Sequence, residues 1–147
     1  MPLHYTRGDM FQGVADAYVV TCNNKATGIN SAGIAGQAYN RWPNIHAQYL
    51  DICKDKACIG GTVWERRVGE VGPIIFLAFT KEDWRLPSKV LWVKECTRLL
   101  SVRLEDFTGI VHMPKMGCGN GKLSWKVDVK PLYEDYFSDL PGNIKVF

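Results

Sequence analysis

Ala17 to Ala35, AYVVTCNNKATGINSAGIA, joins a strand to a helix through a loop of small residues. Ala17 to Cys22 is apolar and partly β-branched, the pattern of a buried strand. Gly33 to Arg41 reads as a helix. Small residues between the two let the backbone approach a ligand closely. N–H groups at a helix start lack intrahelical partners and can receive a phosphate. Asn23 and Asn24 can bond sugar hydroxyls. Taken alone, the stretch reads more simply as a flexible loop ending in a helix cap.

The rest of the chain repeats the alternation. Leu3 to Arg7, Thr62 to Arg66, Ile74 to Phe79, Ile110 to Met113 and Ile144 to Phe147 read as strands. Pro43 to about Lys54 reads as a helix, because a proline at a helix start loses no hydrogen bond. Ser88 is placed to cap a helix running to about Arg103, with Val90, Leu91, Val93, Leu99, Leu100 and Val102 as its apolar positions. A further helix falls between Ser124 and Phe137, and Pro131 sets its start near Asp128. Strands alternating with helices predict an α/β sandwich with helices covering a central sheet. No repeat, low-complexity stretch or linker interrupts it.

The 147 residues suffice for one domain, residues 1–147. At 46% hydrophobic and 22% charged, the composition is that of an ordinary globular protein. Net charge is +3 and scattered, so generic nucleic-acid binding is not expected as a main role. The longest strongly apolar run, Pro73 to Phe79, is far short of the roughly 20 residues of a spanning helix. MPLHYTRGD has no apolar core, so no secretory signal is expected. Five scattered cysteines without a CxxC pair favour neither a disulfide framework nor a zinc site, and a cytoplasmic setting follows.

Three further places can carry chemistry. Gly117 to Gly121, GCGNG, follows the strand Ile110 to Met113, and its glycines permit positive φ and a concave array of N–H groups suited to anions. It lacks the Gly-Lys-Ser/Thr ending of a phosphate-binding P-loop, and an ordinary tight turn is the plainer alternative. Lys81, just past the strand Ile74 to Phe79, reads from position alone as a solvated surface lysine, but can bind phosphate or, if desolvation lowers its pKa, attack an aldehyde-like carbon. Asp9 follows the first strand and can accept from an amino group or brace a turn. In open α/β sheets ligands sit at the carboxyl ends of strands, where all three lie. Cys118 with His112 is a conceivable nucleophile pair, although a buried, inert thiol fits better. Glu105 and Asp106 read as solvated and Trp92 as core, while Trp84 and Trp125 can be core or ligand-stacking. His4, His46 and His112 show no metal-ligand spacing, so no metal or cofactor is expected.

Together, GDMF (Gly8 to Phe11), the TCN…GIA segment, FTKEDWRLPSK (Phe79 to Lys89) and PKMGCGNGKLSW (Pro114 to Trp125) resemble the macro domain, an ADP-ribose-binding α/β module, over nearly the whole chain. The likeness is nearest to a branch that holds antitoxin macro domains removing ADP-ribose from DNA bases, a glycohydrolase acting on protein carboxylates, and short ADP-ribose 1″-phosphate phosphatases. The resemblance implies a three-layer α/β/α sandwich with a mixed sheet of about six strands.

It also implies roles. Asp9 would accept from the adenine amino group, with Met10 beside it and Phe147 near the ring. Asn23 would sit at the distal ribose. Gly33, Ile34 and Ala35 would form a first phosphate loop, and Gly117, Cys118, Gly119, Asn120 and Gly121 a second. Lys81 would be catalytic together with Asn23. The protein-carboxylate glycohydrolase carries an acid where this chain has Gly121, whereas the antitoxin type has glycine, as here. The stretch before Ile34 departs from the family's Gly-rich pattern, reading Asn30-Ser31-Ala32-Gly33. The expected activity is hydrolysis of an ADP-ribose derivative at the distal anomeric carbon by a monomer. The alternatives are a 1″-phosphate phosphatase and a non-catalytic reader.

Overall fold

A computed structural model describes residues 3–25, 33–83 and 85–147. Strands β1 (Leu3–Tyr5), β2 (Ala17–Asn23), β3 (Val63–Arg67), β4 (Ile74–Lys81), β5 (Ile110–Met113) and β6 (Asn143–Val146) form one sheet in the order β1-β6-β5-β2-β4-β3. Five run parallel, and only β3, paired to β4, is antiparallel.

Helices α1 (Ile34–Arg41) and α2 (Pro43–Lys54) cover one face, and α3 (Val90–Arg103) and α4 (Lys130–Phe137) the other. Both faces of β2 and β4 are therefore buried. Ala17, Val19, Phe76 and Ala78 join the α3–α4 core, while Tyr18, Val20, Ile75, Leu77 and Phe79 join the α1–α2 core. Continuous apolar runs rather than alternation are what two-sided burial demands. The result is the expected three-layer sandwich with a mixed six-stranded sheet.

Five expectations need correction. Strand β4 runs through Lys81, so the lysine ends the strand rather than following it. Ser88 does not cap α3: Lys89 holds the N-cap position, without a side-chain cap bond. The buried stripe of α3 is Val93, Cys96, Thr97 and Leu100, the 3.6-residue spacing, while Leu91 is 77% exposed and Val90 and Val102 also face solvent. Trp92 is half-buried rather than core. Its ring lies over Gly60, where an added Cβ would come within 2.2 Å, and Lys89 Nζ sits 4.4 Å from the ring centre. The last helix begins at Lys130 after a π-helical turn, Trp125–Val129, which Ser124 caps by accepting from Val127 N–H at 3.1 Å.

Candidate functional site

Parallel pairing brings the carboxyl ends of β1, β6, β5, β2 and β4 to one edge of the sheet. Every candidate residue lies on or just past one of these ends, or at the start of the helix after β2. The segment 26–32, with Asn30, Ser31 and Ala32, and Trp84 lie outside the described residues.

The β2–β4 ladder slips at its end: Cys22 pairs Phe79, but Asn23 pairs Lys81. This irregularity puts Asn23 and Lys81 side by side. Asn24 N–H fixes the junction by bonding the carbonyls of Lys81 (3.2 Å) and Glu82 (3.3 Å). Lys81 is half-buried, and desolvation holds its ammonium below the ordinary lysine range. Asn23 is buried and anchored from α2, where the fully buried Tyr49 donates its hydroxyl to the Asn23 carbonyl at 2.9 Å. Asn23 Oδ1 also accepts from Lys25 N–H at 2.8 Å, turning the chain away from the strand.

The segment after Lys81 is braced by Asp83, which is buried and accepts from Arg85 N–H (2.9 Å), Nε (3.0 Å) and an Nη (2.9 Å). The Arg85 hydrogen bonds hold the Asp83 carboxyl well below the usual range. Lys89 N–H returns to the Thr80 carbonyl at 3.1 Å, and Ser88 N–H bonds the Gly121 carbonyl at 2.9 Å. The second glycine segment is thus tied to the strand end that carries Lys81.

That segment is a 3₁₀ turn, Gly119–Gly121, with positive φ at Gly117 (77°), Gly119 (68°) and Lys122 (63°). Gly117 has a second constraint: a Cβ there would lie 2.7 Å from Leu123 Cδ1 and 3.0 Å from Val93 Cγ2. Tyr133 of α4, fully buried, holds the approach to the turn. Its oxygen accepts from Met116 N–H (2.9 Å) and its hydroxyl donates to the Pro114 carbonyl (2.5 Å). Cys118 is half-buried, and burial pushes its thiol upward. The Cys118 thiol donates to the Met116 carbonyl at 3.8 Å and the His112 ring bonds the Met10 carbonyl, so neither bond serves a nucleophile pair.

Across the sheet, Asp9 is exposed and its Oδ1 accepts from Phe11 N–H at 2.9 Å. The turn-bracing role and an outward-facing carboxylate coexist there. Met10 points into the α1–α2 core, 2% exposed, so only its backbone faces the turn, and its carbonyl receives His112 Nδ1–H at 2.8 Å. Phe147 N–H continues the ladder to Met113 O at 3.0 Å, and its ring lies 4.9 Å from that of His112. Asp9 and Phe147 line a cavity of about 720 Å³ whose lining does not include Lys81, Asn23 or the glycine turn. Gly33 immediately precedes α1, whose first residues, Ile34 and Ala35, carry first-turn N–H groups without intrahelical partners.

Sequence reasoning missed Tyr49, Tyr133 and Asp83. Only Asp83 left a local signal, an Asp two residues before Arg85 in a turn. Among the described residues no cluster of His, Cys, Asp or Glu can hold a metal, and no helix is long and apolar enough to cross a membrane.

No family model matches the chain. It is 32% identical over 140 residues, 93% of its length, to the DNA ADP-ribosyl glycohydrolase of Mycobacterium tuberculosis. It spans about two-fifths of that relative, 39%. The macrodomain of Thermus aquaticus DarG superposes with a TM-score of 0.88 at 26% identity, covering 99% of this chain and 97% of that one. The macrodomain of M. tuberculosis DarG gives 0.85 at 28% identity, covering 97% and 96%. With this sheet order, these strand-end loops and this likeness over nearly its full length, the chain belongs to the macro domains, similar to those of the DarG proteins.

Proposed function

We propose that the chain binds ADP-ribose along the strand-end edge and hydrolyses the bond between its distal anomeric carbon and an attached group, a nucleobase of DNA being the first candidate. The observation that carries this reading is the pairing of a half-buried Lys81 with Asn23 at adjacent parallel strand ends, tied by backbone bonds to the glycine turn.

Asp9 accepts from the adenine amino group, with Phe147 against the ring. The N–H groups of Ile34 and Ala35 and of residues 117–121 receive the pyrophosphate. Burial favours the neutral Lys81 amine, which is the nucleophilic form. Its nitrogen attacks the anomeric carbon, the bond to the departing base breaks, and the base leaves with the bonding pair and takes up a proton. Water then displaces the lysine, releasing ADP-ribose and restoring the amine. Asn23 and the turn hold the ribose in register, so that binding energy from adenine and pyrophosphate is spent on orientation. The glycohydrolase names of the relatives support this reading.

The test is an ADP-ribosylated oligonucleotide followed by chromatography, with ADP-ribose 1″-phosphate followed by phosphorus NMR alongside. Release of ADP-ribose from the oligonucleotide by the wild type, lost in Lys81→Ala with ADP-ribose binding kept, is the expected result. Phosphate release alone would make the protein a phosphatase. Equal turnover by Lys81→Ala would overturn the role of Lys81.

A further inference from the structure

We infer that the open face of β1, β6 and β5 holds a second ligand site, beside the Asp9 end of the edge, that takes a phosphate monoester. The cavity of about 720 Å³ lies here, lined by His4, Arg7, Asp9, His112, Lys145 and Phe147 among others. Its floor is a register row: His4 pairs Lys145, and Lys145 pairs His112. Paired residues project to the same side of a sheet, with strands about 4.8 Å apart. Leu3, Ile144 and Val111, the preceding row, enter the opposite core. The three nitrogen-bearing side chains therefore stand in line on one face. Helices α1 and α2 cover this face only farther along, over β2 and β4.

Two independent features point to a ligand. His4 and Lys145 are exposed, and neither has an ion-pair partner among the described residues. His112 is 3% exposed, and its Nε2 is buried without a hydrogen-bond partner. Its Nδ1 donates to a carbonyl, which leaves Nε2 as the ring atom without a partner, an acceptor for an O–H or N–H whenever the ring carries a single proton. The Lys145 ammonium requires an anion, and His4 stands beside it in the row. One group that supplies both is a phosphate monoester: its second ionisation lies near about pH 6, so it carries negative oxygens and one O–H. A phosphodiester has no such proton, and Asp9 at the rim disfavours a larger polyanion.

Two sources share this chemistry: free phosphate, and a phosphate carried on the adenosine ribose of a ligand whose base sits at Asp9. The second source rests on the function proposed above, the first does not. The experiment titrates inorganic phosphate into the intact chain at pH 6 and constant ionic strength, reading backbone amides and imidazole nitrogens by NMR. Saturable shifts at His4, His112 and Lys145, weakened at least fivefold in Lys145→Ala, are expected. Sulfate, which has no proton to donate, binds at least fivefold more weakly.

Adenosine 2′-monophosphate binding tenfold tighter than both phosphate and adenosine identifies the tethered source, and equal binding of phosphate identifies the free one. Linear, unsaturated shifts, meaning an adventitious ion only, would overturn the site. So would an unchanged affinity in Lys145→Ala, equal binding of sulfate, or exclusion of phosphate by saturating ADP-ribose. A chain that binds phosphate here but no ADP-ribose anywhere would refute the proposed function and leave this site standing.

Discussion

Gly121→Ala isolates the contact that shapes the glycine turn. A Cβ at position 121 would lie 2.3 Å from Ser88 Oγ and 3.0 Å from Ser88 Cβ. Favourable carbon contacts begin near about 3.5 Å, so both are overlaps. Ser88 Oγ can rotate away, but its Cβ cannot, because Ser88 N–H is bonded to the Gly121 carbonyl at 2.9 Å. Gly121 is not among the positive-φ residues, so alanine brings no backbone strain of its own. The cost is then one of overpacking, about 1–3 kcal/mol. At roughly 2–4 °C per kcal/mol for a domain near this size, Tm falls by about 2–12 °C.

Thermal unfolding reads this out in wild type, Gly121→Ala, Ser88→Gly, their double variant, and Ser88→Ala combined with Gly121→Ala. Ser88→Gly in the Gly121→Ala background recovers most of the loss, and Ser88→Ala recovers less, because the 3.0 Å Cβ contact remains. Purely additive single effects, or a Gly121→Ala as stable as wild type, would refute the packing argument. The same contact sets a packing cost on any side chain at position 121, a carboxylate included, unless residue 88 shrinks.

Lys81→Met is more stable than wild type at pH 7. Burial lowers the folded pKa of Lys81, so between the folded and unfolded values the unfolded chain binds more protons and wild-type stability rises with pH. The advantage of the variant therefore narrows toward pH 10.5, checked by urea unfolding at pH 7 and pH 10. Tyr133→Phe leaves the Met116 N–H and Pro114 carbonyl without their buried partner and costs about 1–3 kcal/mol, with the largest gain in amide exchange in residues 114–121. Asp83 contributes stability that is present above the unfolded carboxylate pKa of about 3.9 and is lost as pH falls through its lower folded value. Asp83→Asn is accordingly less stable at pH 6, and its acid unfolding profile is flatter below pH 4.

The strands and helices that bury themselves by local pattern were legible. Helix α2 and strand β5 match their expected bounds, one because Pro43 marks its start and the other because Ile110, Val111 and Met113 make a short apolar run. The apolar face of α3 was not, because its hydrophobic residues are spread around the cylinder and the buried stripe is completed by Cys96 and Thr97. Ser88 looked like a cap because serine before a helix usually is one, and here its side chain is packed against Gly121 instead. At the candidate site, the residues that face the edge came from motif and resemblance. The residues that hold them, Tyr49 and Tyr133, lie 26 and 17 residues from their partners Asn23 and Met116, and no local pattern records such pairs.

Strand β6 lies between β1 and β5, so the first strand of the chain has no neighbour until the last one is in place. With only three residues and a single pairing partner, β1 cannot dock early. Asp9 hangs from the end of that strand, whereas Asn23 and Lys81 end two strands that meet in the middle of the sheet. A nascent chain thus acquires the lysine side of the edge before the Asp9 side, and the edge becomes able to grip both ends of one ligand only with the last strand to enter the sheet.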